Sequence, residues 1–219
     1  MVDTTVRRRG PRGDVDIREL ILDTAERMFG DSSIGSVSLR AIAREAGVAN
    51  RSVMYHFPAK RDLIAAVAFR RSWRITPAIA ANLAALVDAP AEVGVRDVVE
   101  ALLMPHVTLL QTEPVHGLSW LKVMTQLAFD DDPIWREALD GDPGLPDLFV
   151  AAAGRAIPGL HTRKVQQRAA LAMYSMIAAL AGADLAAYRR PLGPDGLDPE
   201  WVEQVVEFAC GGLRGSADS

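Results

Sequence analysis

From Asp16 onward the apolar positions recur at three- and four-residue intervals, interrupted by Gly and Pro rather than by the alternation of strands. Ile17, Leu20, Ile21, Ala25, Met28 and Phe29 make one stripe. They predict a first helix to about Phe29, with Asp16 and Glu19 as a variant capping box and Gly30 as its end. Leu39, Ile42, Ala43 and Ala46 form a shorter stripe, opened by the capping hydroxyl of Ser38 and closed by Gly47, which tolerates positive φ. A third helix fits from about Asn50 to His56 and stops at Phe57-Pro58, because a residue before proline avoids the α region. Lys60 then begins a longer helix through Leu63, Ile64, Val67 and Ala68, which Pro77 is expected to end or kink. Further helices are predicted over residues 78–88, 95–112, 114–129, 133–140, 146–156, 162–188 and 198–213. The fold class is therefore all-α, with no stretch that asks for a mixed sheet.

Two short helices around a Gly-containing turn form a helix-turn-helix. If Val53 and Phe57 face inward, Asn50, Arg51, Ser52, Met54 and Tyr55 face outward. That set of amide, guanidinium, hydroxyl and aromatic groups can reach base edges and phosphates. An ordinary helical hairpin with a polar face satisfies the same spacing, and charge helps to separate the two. Residues 1–75 hold 14 Lys and Arg against 9 Asp and Glu, whereas residues 76–219 carry 10 against 19. A basic front end on an acidic body is the electrostatic footprint of a nucleic-acid-binding head. Arg7, Arg8, Arg9 and Arg12 lie in a stretch, residues 1–14, without apolar periodicity. That stretch reads as a flexible basic arm able to enter a minor groove, or as a solvated tail. Arg70, Arg71 and Arg74 read as a solvated face rather than as DNA ligands.

The segment IAREAGVANRSVMYHFPAKRDL closely resembles the DNA-binding segment of the tetracycline-repressor (TetR) family. Ile42, Ala43, Ala46, Gly47, Val48, His56, Phe57, Lys60 and Leu63 carry the match, and with the preceding helix it covers about residues 16–64. Three positions depart from the family pattern. Met54 replaces the usual first aromatic of the recognition helix, Ala49 replaces the hydroxyl cap, so that Asn50 would serve instead, and Ala59 replaces Ser or Asn before Lys60. The resemblance implies a three-helix DNA-binding domain at 15–60 and a helical effector-binding and dimerisation domain at 61–219. It also implies DNA contacts from Arg40, Asn50, Arg51, Ser52, Met54, Tyr55, His56 and Lys60. The expected partners are a palindromic double-stranded operator, a small-molecule effector and a second copy of the chain.

The body offers little catalytic chemistry. It contains no GxGxxG, P-loop, HExxH or GxSxG. His106, His116 and His161 lack a matching nucleophile or paired carboxylate, so neither catalytic residues nor a cofactor are expected. No metal is expected either, since Asp132-Pro133 reads as a helix cap with proline at the first helical position. Met104, His106, Trp120, Met124 and Tyr174, with Gln126, Phe129 and Met173, could line a cavity for a mostly apolar molecule, and each also reads as core. Trp120 and Met124 share a face, with Phe129 on the far side.

Residues 169–187 hold a single charge, Asp184, in a run of nearly membrane-spanning length, but Asp184, Ser175 and Gly182 weaken that reading. With the apolar stripes of the last helix, the resemblance makes them a four-helix dimer interface. The first 14 residues lack the apolar run of a signal peptide, and the lone Cys210 excludes an intramolecular disulfide. A cytoplasmic location is expected, with Cys210 as a small buried apolar residue. The alternative function is a helical small-molecule-binding protein or enzyme that merely carries a helix-turn-helix.

Overall fold

A computed structural model of the chain describes residues 11–140 and 144–215, with side chains from Asp16 onward. Arg7, Arg8 and Arg9 of the expected basic arm lie outside the described residues, as does the side chain of Arg12. Ten α-helices account for most of what is described. The first, α1 (Pro11–Asp31), starts earlier than expected, so that Asp16 sits inside it rather than at its N-cap. Pro11 explains the earlier start, because its fixed φ suits the first turn of a helix and its missing N–H would have no helical partner there.

The next two helices, α2 (Leu39–Glu45) and α3 (Asn50–His56), form the helix-turn-helix. Ser38 Oγ accepts from the Ala41 N–H at 3.1 Å, and Gly47 adopts φ +65° in the turn between them. Val53 and Phe57 face inward and are buried with Ile21, Leu22, Ala25, Phe29 and Ile42, closing a three-helix head. Asn50 does not cap α3. The cap position is Ala49, without a side-chain bond, and the Asn50 amide instead lies 3.5 Å from Met54 Sδ.

From this head α4 (Lys60–Asp88) runs unbroken into the body, passing Pro77 without ending. Pro77 and Trp73, the residue whose carbonyl loses its helical donor, both face solvent, while Ile75, Ile79 and Leu83 are buried on the other side. Burial of that stripe holds the helix together across the missing bond. Packed around it are α5 (Val95–Thr112), α6 (Pro114–Phe129), α7 (Pro133–Leu139), α8 (Leu145–Ala156), α9 (Thr162–Ala181) and α10 (Pro199–Arg214). Pro114, Pro133 and Pro199 each open a helix, and Asp132 Oδ1 caps α7 by accepting from Ile134 N–H at 2.8 Å. In α5, Pro105 removes the donor for the Ala101 carbonyl, and Asn82 Nδ2 of α4 supplies one at 3.4 Å.

Two sequence expectations are corrected in the C-terminal third. The helix read over 162–188 stops at Ala181, where the chain turns back so closely that a Cβ on Gly182 would meet Leu185 and Tyr188 at 3.0 and 3.1 Å. There follows a small antiparallel pair, β1 (Leu192–Gly193) with β2 (Gly196–Leu197), pressed against α5. Gly196, at φ +101°, permits the turn, and a Cβ there would lie 2.9 Å from Gln111 Cα.

Arg70 and Arg71 of α4 are not a solvated face, and Arg74, though exposed, is paired. Arg71 is buried and pairs with the fully buried Glu26 of α1 and with Glu113 between α5 and α6. Arg70 pairs with Asp23 at 2.6 Å and Glu19 at 2.8 Å, and Arg74 with Glu113 at 2.7 Å. The stripe of α1 carboxylates at three- and four-residue spacing meets the arginines of α4, a match hidden from either helix read alone. Head and body are thereby joined by charge as well as by the shared helix.

Candidate nucleic-acid interface and internal cavity

The outward side of the head is set by α2 and α3. Arg40, Arg51, Met54 and Tyr55 are exposed, Tyr55 most of all at 76%, while Asn50, Ser52, His56 and Lys60 are half-buried. Tyr55 and His56 meet edge to face with ring centroids 5.1 Å apart. No ion pair engages Arg40 or Arg51 among the described residues, so both guanidinium groups are available to phosphates or base edges. The Oδ1 of Asn50 is likewise a buried acceptor without a partner among the described residues.

Lys60 differs from the others. Its Nζ donates to the carbonyls of Ile34 and Gly35, the latter at 3.2 Å, and lies 6.0 Å from the centre of the Phe29 ring. Burial holds its ammonium below the usual lysine value. These bonds tie the start of α4 to the short 3-10 turn Ile34–Ser36 that follows α1. The same turn is held from the body by Gln126 of α6. Its Oε1 accepts from Ile34 N–H at 2.7 Å, and its Nε2 donates to Phe29 O at 2.8 Å. Gln126 is thus a clasp between head and body rather than a cavity residue.

Inside the body, α4, α5, α6, α7, α8 and α9 enclose a cavity of about 30 Å³. It brings together three of the five ligand candidates, His106, Trp120 and Met124, along with Met173. The other two lie elsewhere. Met104 is exposed in a shallow groove between α4 and α5, and Tyr174 packs edge-on against Phe129 and Trp135. Phe129 itself is exposed. Sequence reasoning missed Ser72 and Thr76, which line the cavity from α4, because it followed that helix's apolar stripe only as far as Ala68. Continuing its apolar stripe from Ala68 through Ile75 and Ile79 would have brought both hydroxyls to the inner face.

The polar groups of the cavity are satisfied in one consistent direction. Trp120 Nε1 donates to Ala68 O at 2.9 Å, as does Ser72 Oγ at 2.9 Å, and Thr76 Oγ1 donates to Ala138 O at 3.1 Å. His106 stacks on Trp120 at 6.4 Å between ring centres, with its Nδ1 3.1 Å from Leu102 O. A carbonyl only accepts, so Nδ1 carries the proton and Nε2 the lone pair. Burial pushes the pKa of His106 down to about 4, so the ring is neutral at physiological pH.

Along α9 and α10 runs an apolar groove of about 450 Å³, lined by Ala179, Tyr188, Trp201 and Phe208 among others. Leu171 and Phe208 stand more than 70% exposed on these helices. Cys210 is a free thiol buried behind this face, and burial pushes its pKa up. Among the described residues no helix is long and apolar enough to cross a membrane, and no cluster of three or more His, Cys, Asp or Glu could hold a metal.

A recognition helix on a three-helix head, continuous through α4 with a helical body, defines a helix-turn-helix DNA-binding protein. Residues 21–67 match the family model "Bacterial regulatory proteins, tetR family", and residues 100–212 match the "Tetracyclin repressor-like, C-terminal domain". The chain belongs to the TetR family of transcriptional regulators, whose members are generally non-enzymatic. No curated protein matches it. Its fold is similar to that of the fatty acid degradation regulator FadR from Bacillus halodurans, at 17% identity and a TM-score of 0.59 over 96% of this chain and 100% of that one. It is also similar to Mycobacterium smegmatis AmtR, at 20% identity and a TM-score of 0.57 over 97% and 91%. A third likeness is to the SmeT–triclosan complex, at 18% identity and a TM-score of 0.56 over 89% and 90%.

Proposed function

We propose that the chain is a repressor that binds a palindromic operator as a homodimer and is released by a small, mostly apolar effector. The observation that carries this reading is the reach of α4. The helix begins at Lys60, directly after the recognition helix, and contributes Ser72, Ile75, Thr76 and Ile79 to the wall of the internal cavity. A molecule that enlarges the cavity therefore pushes on the element that positions the head. Release requires only that the effector bind more tightly to the arrangement that misplaces the two recognition helices. In the DNA-competent dimer those helices lie one turn of B-DNA apart, roughly 34–36 Å.

Arg40, Asn50, Arg51, Ser52, Met54, Tyr55 and His56 form the DNA-facing set, with Lys60 supporting it from the start of α4. The exposed apolar face of α9 and α10 is the surface that a second copy covers, since Leu171 and Phe208 stand out from these helices beside an apolar groove. The cytoplasm, where the operator is found, is the place of action. A gel shift with DNA from upstream of the protein's own gene tests the reading. The expected result is a discrete shifted band that competitor DNA of unrelated sequence does not remove. Equal affinity for operator and unrelated DNA over a range of salt concentrations would overturn it.

A further inference from the structure

We propose that the internal cavity selects an uncharged, mostly apolar molecule carrying a hydroxyl or N–H donor, and rejects carboxylates of the same shape. The proposal rests on the reading of this cavity as the effector site and names the chemistry of what enters it.

The selection follows from where the protons lie. Ser72 Oγ and Trp120 Nε1 both direct theirs to Ala68 O, Thr76 Oγ1 directs its own to Ala138 O, and His106 Nδ1 directs its own to Leu102 O. Four of the five side-chain donors on the wall, all but Trp135 Nε1, are thus engaged with main-chain carbonyls. What remains toward the interior is acceptor capacity: the lone pair of His106 Nε2 and the free lone pairs of the two hydroxyls. His106 is 7% exposed, and its Nε2 has no partner among the described residues. A donor carried in by an apolar molecule would gain a hydrogen bond to that lone pair in surroundings shielded from water.

An anion meets the opposite situation. A carboxylate only accepts, the indole N–H of Trp135 is the one wall donor not already given to a carbonyl, and no Lys or Arg lines the cavity to balance its charge. Its charge would be desolvated without compensation. The space as it stands, about 30 Å³, is the size of roughly one water molecule. A larger guest is admitted by Met124 and Met173, whose unbranched thioether chains can repack around it. The stacked His106–Trp120 pair, anchored to α5 and α4 by its two carbonyl bonds, holds the acceptor in place while the methionines give way.

Three probes of one shape separate the possibilities at neutral pH: 4-ethylphenol, its methyl ether 4-ethylanisole, and 4-ethylbenzoate. Binding is read by calorimetry and by thermal shift, and operator release is read in the same samples. The phenol is expected to bind, raise the melting temperature and release DNA. The ether should bind about tenfold more weakly, as the loss of one net hydrogen bond implies, and the benzoate should have no effect. His106→Leu should erase the preference for phenol over ether. Ser72→Ala, which removes one acceptor while Ala68 O keeps the Trp120 donor, should narrow it, and serves if the His106 variant does not fold. Ether and phenol binding alike, benzoate binding best, or none of the three binding would overturn the proposal. Selective phenol binding by a protein that shifts no DNA would support this inference while removing the repressor reading. Operator binding that none of the probes disturbs would do the reverse.

Discussion

Arg71 of α4 and Glu26 of α1 form an ion pair in which the carboxylate is fully buried and the guanidinium 5% exposed. Glu113 holds the other edge of the guanidinium through Nε at 3.1 Å and Nη2 at 2.9 Å. His116 Nδ1 lies 3.5 Å from the remaining Glu26 oxygen. Removing one member leaves a charge uncompensated in the interior, so Arg71→Ala should cost about 3–5 kcal/mol. Replacing both with apolar side chains, Arg71→Met with Glu26→Leu, should recover most of that loss. Urea denaturation of the two variants beside the wild type measures the difference. A double variant no more stable than Arg71→Ala would show that the pair's worth lies in more than mutual compensation.

Trp120 is 2% exposed and bonded to Ala68 O, so it belongs to the core as well as to the cavity wall. Trp120→Ala should lower stability by about 3–5 kcal/mol. Trp120→Phe keeps most of the apolar contact and loses the hydrogen bond, and should cost about 1 kcal/mol. The second variant is the useful one, since it should bind operator normally and change the effector concentration needed for release. Titration of operator release with effector checks this.

His106 gives stability a dependence on pH. Its folded pKa of about 4 lies below its ordinary value of 6.5, so between those limits the unfolded chain binds the extra proton. Stability is therefore full above about pH 6.5 and falls as the pH drops toward 4, by up to about 3 kcal/mol. Glu26 acts with the opposite sign, since burial raises its pKa and its contribution is lost as the pH rises. Denaturation midpoints measured for wild type and His106→Gln across this range should diverge at neutral pH and converge under acid. Parallel curves would mean that His106 does not titrate as the structure implies.

At the DNA face, Arg51→Ala should cost about 1–3 kcal/mol of operator affinity and relax the preference at one base position. Lys60→Ala should weaken binding to all sequences. If Lys60 meets a phosphate, the salt dependence becomes shallower by about one charge. An unchanged salt slope with a lower melting temperature would assign Lys60 to the Ile34–Gly35 turn instead. Affinities at several salt concentrations decide between the two.

Ala179 lies half-buried in the groove between α9 and α10. Ala179→Glu should give monomers that no longer bind the operator, because the carboxylate would have to be desolvated at the interface. Sedimentation of an intact dimer would place the interface on another surface.

The helices were legible because their signals are local. Ser38, Gly47, Phe57-Pro58 and Asp132-Pro133 mark ends through their own backbone chemistry, and the structure uses each as expected. Pro77 misled because its cost is local while the burial that outweighs it, at Ile75, Ile79 and Leu83, comes from distant helices. The arginines of α4 misled for the same reason, since their partners sit on α1 and between α5 and α6. In the body, periodicity placed Trp120 and Met124 on one face. It could not show that the Met104 side chain leaves the core, nor that Gln126 turns toward the end of α1.

The meeting of α1 with α6 bears on how such regulators could be recombined. Gly30 lies so close to Ser119 that an added Cβ would stand 2.9 Å from its Cα, and the clasp of Gln126 begins one residue earlier, at Phe29. A chimera cut at residue 60, joining this body to another protein's reading head, would inherit Ser119 and Gln126 without the backbone they were fitted to. Donors with a bulkier residue in place of Gly30 should yield hybrids whose heads are tilted or loose, however well their recognition helices read DNA in the parent. Compatible donors are therefore to be sought by the end of their first helix.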